Sequence, residues 1–256
     1  GVATQSLRFD DGSSTYLTKT FGSDGTGSGA TCTVSCWVKR NNISNNDQWF
    51  FTAGASSPAW LFGFRTADTL AFGDDDGNPF VTVTDRVFRD TSAWYHLVFA
   101  VDTTSGTAGN RLRIYVNGVE ETSFATETNF DQNDLTLHNA NGSYMEVGSV
   151  IGESPRFNGY IAEVNSITGT QYAPTAFGKF DDDSGIWIPI LFAGSYAENS
   201  VFLEFKDSSS LGTDTSGNGQ TFTLQNLSAA DQATDTPTNS FCTLNTLSYN
   251  HPITLT

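Results

Sequence analysis

The chain has 256 residues, with 12 Lys or Arg against 28 Asp or Glu, for a formal net charge of −16. That balance argues against nucleic acid and against anionic membrane surfaces as partners, because both are held through clustered Lys and Arg. No run approaches the roughly 18 apolar residues of a membrane span, so no membrane insertion is expected, and with 24 Gly and 13% aromatics the composition is that of many short strands joined by tight turns.

In chain order, Leu7 and Phe9 alternate before the turn Asp10-Asp11-Gly12-Ser13-Ser14. From Thr31 to Lys39 the alternation is strict: Cys32, Val34, Cys36 and Val38 share one face, and Thr33, Ser35 and Trp37 share the other. Trp49 to Thr52 and Trp60 to Arg65 read as short aromatic strands, and Asp74-Asp75-Asp76-Gly77-Asn78-Pro79 as a turn cluster before Val81 to Thr84. Trp94 to Val101 is apolar on both faces, the pattern of a central strand. Arg111 to Val116 turns at Asn117-Gly118, a strong short hairpin signal, with Val119 to Phe124 as its expected partner. Leu135 to Leu137, Tyr144 to Gly148 and Tyr160 to Ile167 complete the series.

No helical crossover pattern separates these strands, so antiparallel sheets are expected. Pro174 opens a stretch, Ala173 to Phe177, with room for one helical turn. Residues 180–189 read as an irregular acidic and aromatic segment, and Val201 to Phe205 and Thr221 to Leu227 again as strands. Residues 228–240 are polar and read as an extended arm or linker. The expected organisation is a core at 1–170 and a C-terminal extension at 171–256 with a few strands.

Cys32 and Cys36 lie four apart on one expected strand. Their Cα atoms would stand about 13 Å apart, beyond the limit of about 7 Å for a disulfide. They read as buried free thiols that suit a reducing cytosol, while a bridge from Cys242 to either stays open. Met145 is the single methionine and no signal-peptide pattern is visible, so the chain is expected to be processed or a fragment.

Trp94-Tyr95-His96-Leu97-Val98, followed by Arg113-Ile114-Tyr115-Val116-Asn117-Gly118, resembles the paired strands of concanavalin A-like, laminin G-like jelly-roll domains. Ser6 to Asp10, Thr33 to Lys39 and Phe157 to Val164 resemble other strands of that family in the same order, with Ala162 where an acidic residue is usual. The resemblance implies an all-β, antiparallel two-sheet jelly-roll sandwich over residues 5–170. Three later stretches are similar to segments following this domain in bacteriophage virion proteins. They are Ala176 to Pro189, Phe202 to Phe205 through Ser216 to Gly219, and Thr234 to Asn239. That implies a virion-surface protein, in a tail fibre or on a capsid, assembled in the host cytoplasm.

Related jelly-roll glucanases place two carboxylates on one strand, and a retaining glycosidase needs them about 5–5.5 Å apart. Here the acidic strand residue is Glu163, its i+2 neighbour is Asn165 and its i+4 neighbour is Ile167. Glu120 and Glu121 point to opposite faces, so no catalytic residue is assigned and no enzyme is expected. His96 lies on a strand read as buried and is expected to be a satisfied core histidine. No cofactor motif is present. Calcium is the metal that acidic loops suit, with Asp74, Asp75, Asp76 and Asn78 as one candidate group and Asp181, Asp182 and Asp183 as another. A glycan site needs an exposed aromatic for stacking, and Trp49, Trp60 and Phe62 are the candidates because they flank loops.

The leading expectation is a bacteriophage virion-surface structural protein whose lectin-like module binds glycans or another host surface. Other virion proteins and copies of itself are its expected partners. Two alternatives stand beside it: a purely architectural capsid decoration or head-fibre subunit, and a glycoside hydrolase.

Overall fold

The computed structural model describes residues 2–239 apart from 25–28, 44–45, 55–58, 75–80, 136–137, 139 and 151–155. Among the described residues the strands are β1 (Ser6–Phe9), β2 (Tyr16–Thr20), β3 (Thr31–Arg40), β4 (Gln48–Gly54), β5 (Ala59–Phe64) and β6 (Thr69–Asp74). Then come β7 (Val81–Val87), β8 (Tyr95–Asp102), β9 (Leu112–Val116), β10 (Val119–Glu120), β11 (Phe124–Thr126) and β12 (Tyr144–Val147). The chain continues with β13 (Gly159–Thr168), β14 (Gly178–Phe180), β15 (Trp187–Pro189), β16 (Val201–Leu203), β17 (Thr223–Gln225) and β18 (Gln232–Ala233).

They form two antiparallel sheets, the jelly-roll sandwich that the family resemblance implies. Sheet A runs β10-β9-β8-β3-β13-β1-β18, with β16 also paired to β13. Sheet B runs β11-β7-β6-β5-β4-β12-β2-β17, and β14 with β15 makes a separate hairpin. Between the sheets, Val34, Cys36, Leu97, Phe99, Ile114 and Ile161 of sheet A meet Phe50, Phe62, Phe64, Phe72 and Met145 of sheet B. The rings of Phe62 and Phe99 bridge the layers with centroids 4.4 Å apart. Burying one such phenylalanine contributes about 1.5–3 kcal/mol, which makes this aromatic layer the main source of cohesion.

Asn117 and Gly118 both take positive φ, 49° and 80°, the geometry of a tight primed hairpin turn. The strand after it departs from expectation. Val119 and Glu120 pair with β9, but Phe124 pairs with Thr84 of sheet B. The segment 119–126 therefore crosses from one sheet to the other. Residues 135–137, expected as a strand, lie partly outside the described residues, and Leu135 is exposed coil.

β13 carries a bulge. Ala162 pairs with Trp37 and Asn165 with Ser35, so Glu163 and Val164 together oppose Cys36 alone. The extra residue lets Ile161 and Val164 both face the inter-sheet core. At the same place the free side of β13 changes partner, from β1 (Ile161 with Leu7) to β16 (Val164 with Leu203).

Residues after 170 join both sheets: β16 pairs with β13, β17 with β2 and β18 with β1. Asp214 shapes their loop. Its Oδ1 accepts the N–H groups of Phe202 at 3.0 Å and Ser216 at 2.9 Å, and its Oδ2 accepts Gln220 N–H and Ser216 Oγ–H, both at 2.8 Å. Of residues 228–240, read from sequence as an extended arm or linker, the described part, 228–239, lies against its own sheet. Asp235 accepts Trp94 Nε1–H at 3.0 Å through Oδ1 and Lys39 Nζ–H at 2.6 Å through Oδ2.

Candidate functional site

Period-two alternation gives sheet A an outer face as well as a core face. β3 sends Ser35 and Trp37 outward, β8 sends His96, Val98 and Ala100, and β13 sends Ala162, Asn165 and Ile167. Residues 172–196 cover that face. Tyr172, Phe177, Phe192 and Tyr196 pack with Val98, Ala100, Tyr115 and Ile167, and Trp187 packs with Trp37, Trp94 and Ala162.

His96 sits under this cover. Trp187 Nε1–H donates to His96 Nδ1 at 3.0 Å, and Ser35 Oγ lies 2.9 Å from His96 Nε2. An indole N–H only donates, so Nδ1 is the bare nitrogen and Nε2 carries the proton. Nε2–H therefore donates to Ser35 Oγ, which is the reverse of what a general base for that serine requires. Burial lowers the pKa of His96 to about 3, and the ring is neutral. The pair is structural, as the sequence suggested for a core histidine.

Glu163, the bulge residue, has φ of 51° and is buried. Its Oε1 accepts the backbone N–H of Ala3 at 2.7 Å. Burial pushes its pKa up to about 7; the Ala3 bond opposes the shift and the charge of Glu204 adds to it. Beside Glu163, between sheet A and the covering segment, is a cavity lined by Ser35, His96, Asn165, Phe177 and Phe202 among others. Its volume is about 10 Å³, room for about one water molecule. Of its lining residues, Asn165 is held by Tyr196, whose hydroxyl donates to Asn165 Oδ1 at 2.6 Å. A carboxyl of raised pKa is the right chemistry for a general acid, but no saccharide fits beside this one.

The three aromatic candidates are not open platforms. Phe62 is fully buried, with Phe99, Phe72 and Phe51 at centroid distances of 4.4, 4.8 and 5.2 Å. Trp60, 8% exposed, faces the same way and packs on Phe72, Phe130 and His138. Trp49, 6% exposed, is on the opposite face of sheet B with Leu61, Ala71 and Val150. It lies so close to Gly63 that a Cβ there would come 2.6 Å from its ring. Stacking on a sugar needs an accessible ring face, and packing has consumed all three.

Of the acidic groups, Asp75, Asp76 and Asn78 lie outside the described residues, and Asp74 is described only as the end of β6. Asp181 Oδ2 accepts both Ser184 N–H, at 2.9 Å, and Ser184 Oγ–H, at 2.6 Å. These bonds hold its pKa below the usual carboxylate value. Asp182 and Asp183 stand exposed on the same turn. Among the described residues, no three His, Cys, Asp or Glu side chains converge on a common metal position.

Sequence reading passed over Phe180. It is 51% exposed and packs edge-on against Trp187, with centroids 4.9 Å apart and planes at 71°. The available signal was an aromatic residue directly before a run of three Asp, which cannot sit deep in a core.

A sequence profile of the concanavalin A-like lectin/glucanases superfamily matches residues 11–171. No curated protein matches the chain. Among solved structures, a native heptameric SAP-like pentraxin from Limulus polyphemus is similar at 13% identity and TM-score 0.48, over 67% of this chain and 79% of its own. The CBM40 of the Ruminococcus gnavus IT-sialidase is similar at 14% identity and TM-score 0.43, over 61% and 94%. Mouse laminin alpha1 chain domains LG4-5 are similar at 12% identity and TM-score 0.43, over 66% and 43%.

Proposed function

We propose, because this chain belongs to the concanavalin A-like lectin/glucanases superfamily, that it is a non-catalytic carbohydrate-binding protein of a bacteriophage virion surface. The family name spans binders and hydrolases, and one observation favours the binder. Glu163, the carboxyl on the strand where a glucanase would carry its pair, is closed over by Ala3 and adjoins a cavity of about 10 Å³. Its strand neighbour two positions on is Asn165, which cannot serve as nucleophile or acid. Binding, unlike hydrolysis, needs only a surface that stacks and orients a sugar.

The virion placement rests on the similarity of 176–189, 202–219 and 234–239 to segments of phage virion proteins. The acidic surface fits a partner that is neither nucleic acid nor anionic lipid. Other virion proteins and further copies of the chain are the proposed assembly partners.

The test is a printed array of neutral, sialylated and uronic oligosaccharides, probed with the purified chain and followed by calorimetry on any hit. Saturable binding with no released sugar on prolonged incubation supports the reading. Absence of binding across the array, or release of reducing sugar, overturns it. Peptide mass spectrometry of purified particles tests the placement, and a chain missing from virions overturns that part alone.

A further inference from the structure

We propose that the exposed face of Phe180, on the hairpin of β14 and β15, is a stacking platform for an uncharged saccharide. The inference rests on the carbohydrate-binding reading above and places the site on the segment that follows the matched residues 11–171.

Exposed aromatic rings are few here. Among the described residues the exposed ones are Phe180, at 51%, and Tyr144, at 36%. Phe180 is also anchored. Trp37 stacks on His96 with centroids 4.8 Å apart, His96 on Trp187 at 5.9 Å, and Trp187 meets the edge-on Phe180 at 4.9 Å. This is a column of four rings from sheet A to solvent. Its third member is fixed by the bond to His96 Nδ1 and by contact with glycines. A Cβ on Gly118 would come 2.4 Å from the Trp187 ring, and one on Gly178 would come 2.5 Å from it.

The backbone that carries Phe180 is equally constrained. Phe180 pairs with Trp187 across the hairpin. The turn is closed by Asp181 N–H to Ile186 O and Gly185 N–H to Asp181 O, both at 2.8 Å. A ring already held in its binding position loses little conformational entropy when a ligand arrives. Sugar recognition needs an aromatic face for the C–H surface of the ring and polar atoms beside it for the hydroxyls. In this proposal that role belongs to the carboxylates of Asp182 and Asp183, which are exposed on the turn that follows Phe180.

Those carboxylates also choose the ligand. They repel a sialic or uronic acid at close range, and the whole chain adds to this with a net charge of −16. An uncharged hexose oligomer meets no such penalty.

The test compares the wild type, Phe180→Ala and Phe180→Trp by calorimetry with cellohexaose, laminarihexaose and mannohexaose. The same array is run, and light scattering follows self-association. Thermal unfolding checks that each variant folds, which a half-exposed side chain permits. We expect wild-type binding to a neutral oligosaccharide, about tenfold weaker in Phe180→Ala and retained in Phe180→Trp. Neutral-sugar binding unchanged in Phe180→Ala overturns the platform and leaves the lectin reading intact, as does binding confined to sialylated glycans. An effect of Phe180→Ala on self-association alone makes the ring a subunit contact and overturns the platform. Binding to no glycan at all overturns both readings.

Discussion

Arg40 and Asp68 face each other at 3.0 Å with both side chains wholly shielded from solvent. The guanidinium also donates to Phe88 O at 2.6 Å, and the second Asp68 oxygen accepts Arg89 Nε–H at 3.0 Å. Asp68 is the one carboxylate shared by two guanidiniums here, Arg40 buried and Arg89 largely exposed, so removing it leaves the buried Arg40 without this counter-charge. Asp68→Ala is expected to cost about 3–5 kcal/mol, read as the loss of unfolding free energy in urea. A loss below about 1 kcal/mol would mean that water reaches Arg40.

The carboxyl of Glu163 links stability to pH. Its ordinary pKa of 4.5 rises to about 7 in the fold, so between those values the folded chain holds a proton that the unfolded chain has released. The stability it contributes is complete below 4.5 and is lost as pH rises through 7. Glu163→Gln keeps the acceptor for Ala3 N–H and cannot ionise. The variant is expected to flatten the fall of Tm between pH 5 and 8 and to exceed the wild type at pH 8. Equal slopes in the two proteins would show that Glu163 ionises freely.

Ending the chain at residue 171 removes the partners of three strands and the cover of sheet A. Val98, Ala100, Tyr115 and Ile167 would meet water, and β1, β2 and β13 would lose β18, β17 and β16. Open edges and a bare apolar face both invite association. The shortened chain is expected to elute as aggregate and to bind ANS strongly. A monomer with cooperative unfolding would contradict this.

The thiols of Cys32 and Cys36 face the inter-sheet core, and burial holds both well above the ordinary 9.0. In a Cys242→Ser background they are the remaining cysteines. DTNB should find neither over hours in native buffer and both at once in guanidinium. Reaction in native buffer would reveal local opening of β3.

Much of this architecture was legible. The alternation of Cys32, Val34, Cys36 and Val38 against Ser35 and Trp37 assigned both faces of β3, because a strand has a side-chain period of two. Trp94 to Val101, apolar on both sides, is a central strand because sheet A is covered on its outer face as well. Even the bulge left a trace: Ile161 and Val164 are apolar three positions apart, a slip in phase. The exposure of Trp49 and Trp60 was not legible, since whether a second layer covers a strand depends on distant residues. The crossing of 119–126 between sheets was equally hidden, as runs of two and three residues are too short to show a period. Phe180 and Trp187 escaped for the same reason, being ends of three-residue strands.

The pairing of Ser6 with Ala233 has a consequence for synthesis. These residues are 227 positions apart, so β1 waits for its outer neighbour until almost all the described chain has left the ribosome. At roughly 5–20 residues per second the wait is about 10–45 seconds. Throughout it, the emerging polypeptide displays an unpaired row of backbone amides to every nascent copy on the same messenger. Among the described strands the wrap of 223–233 therefore closes late, and a slowed translation is expected to lengthen the period in which neighbouring copies can join through it.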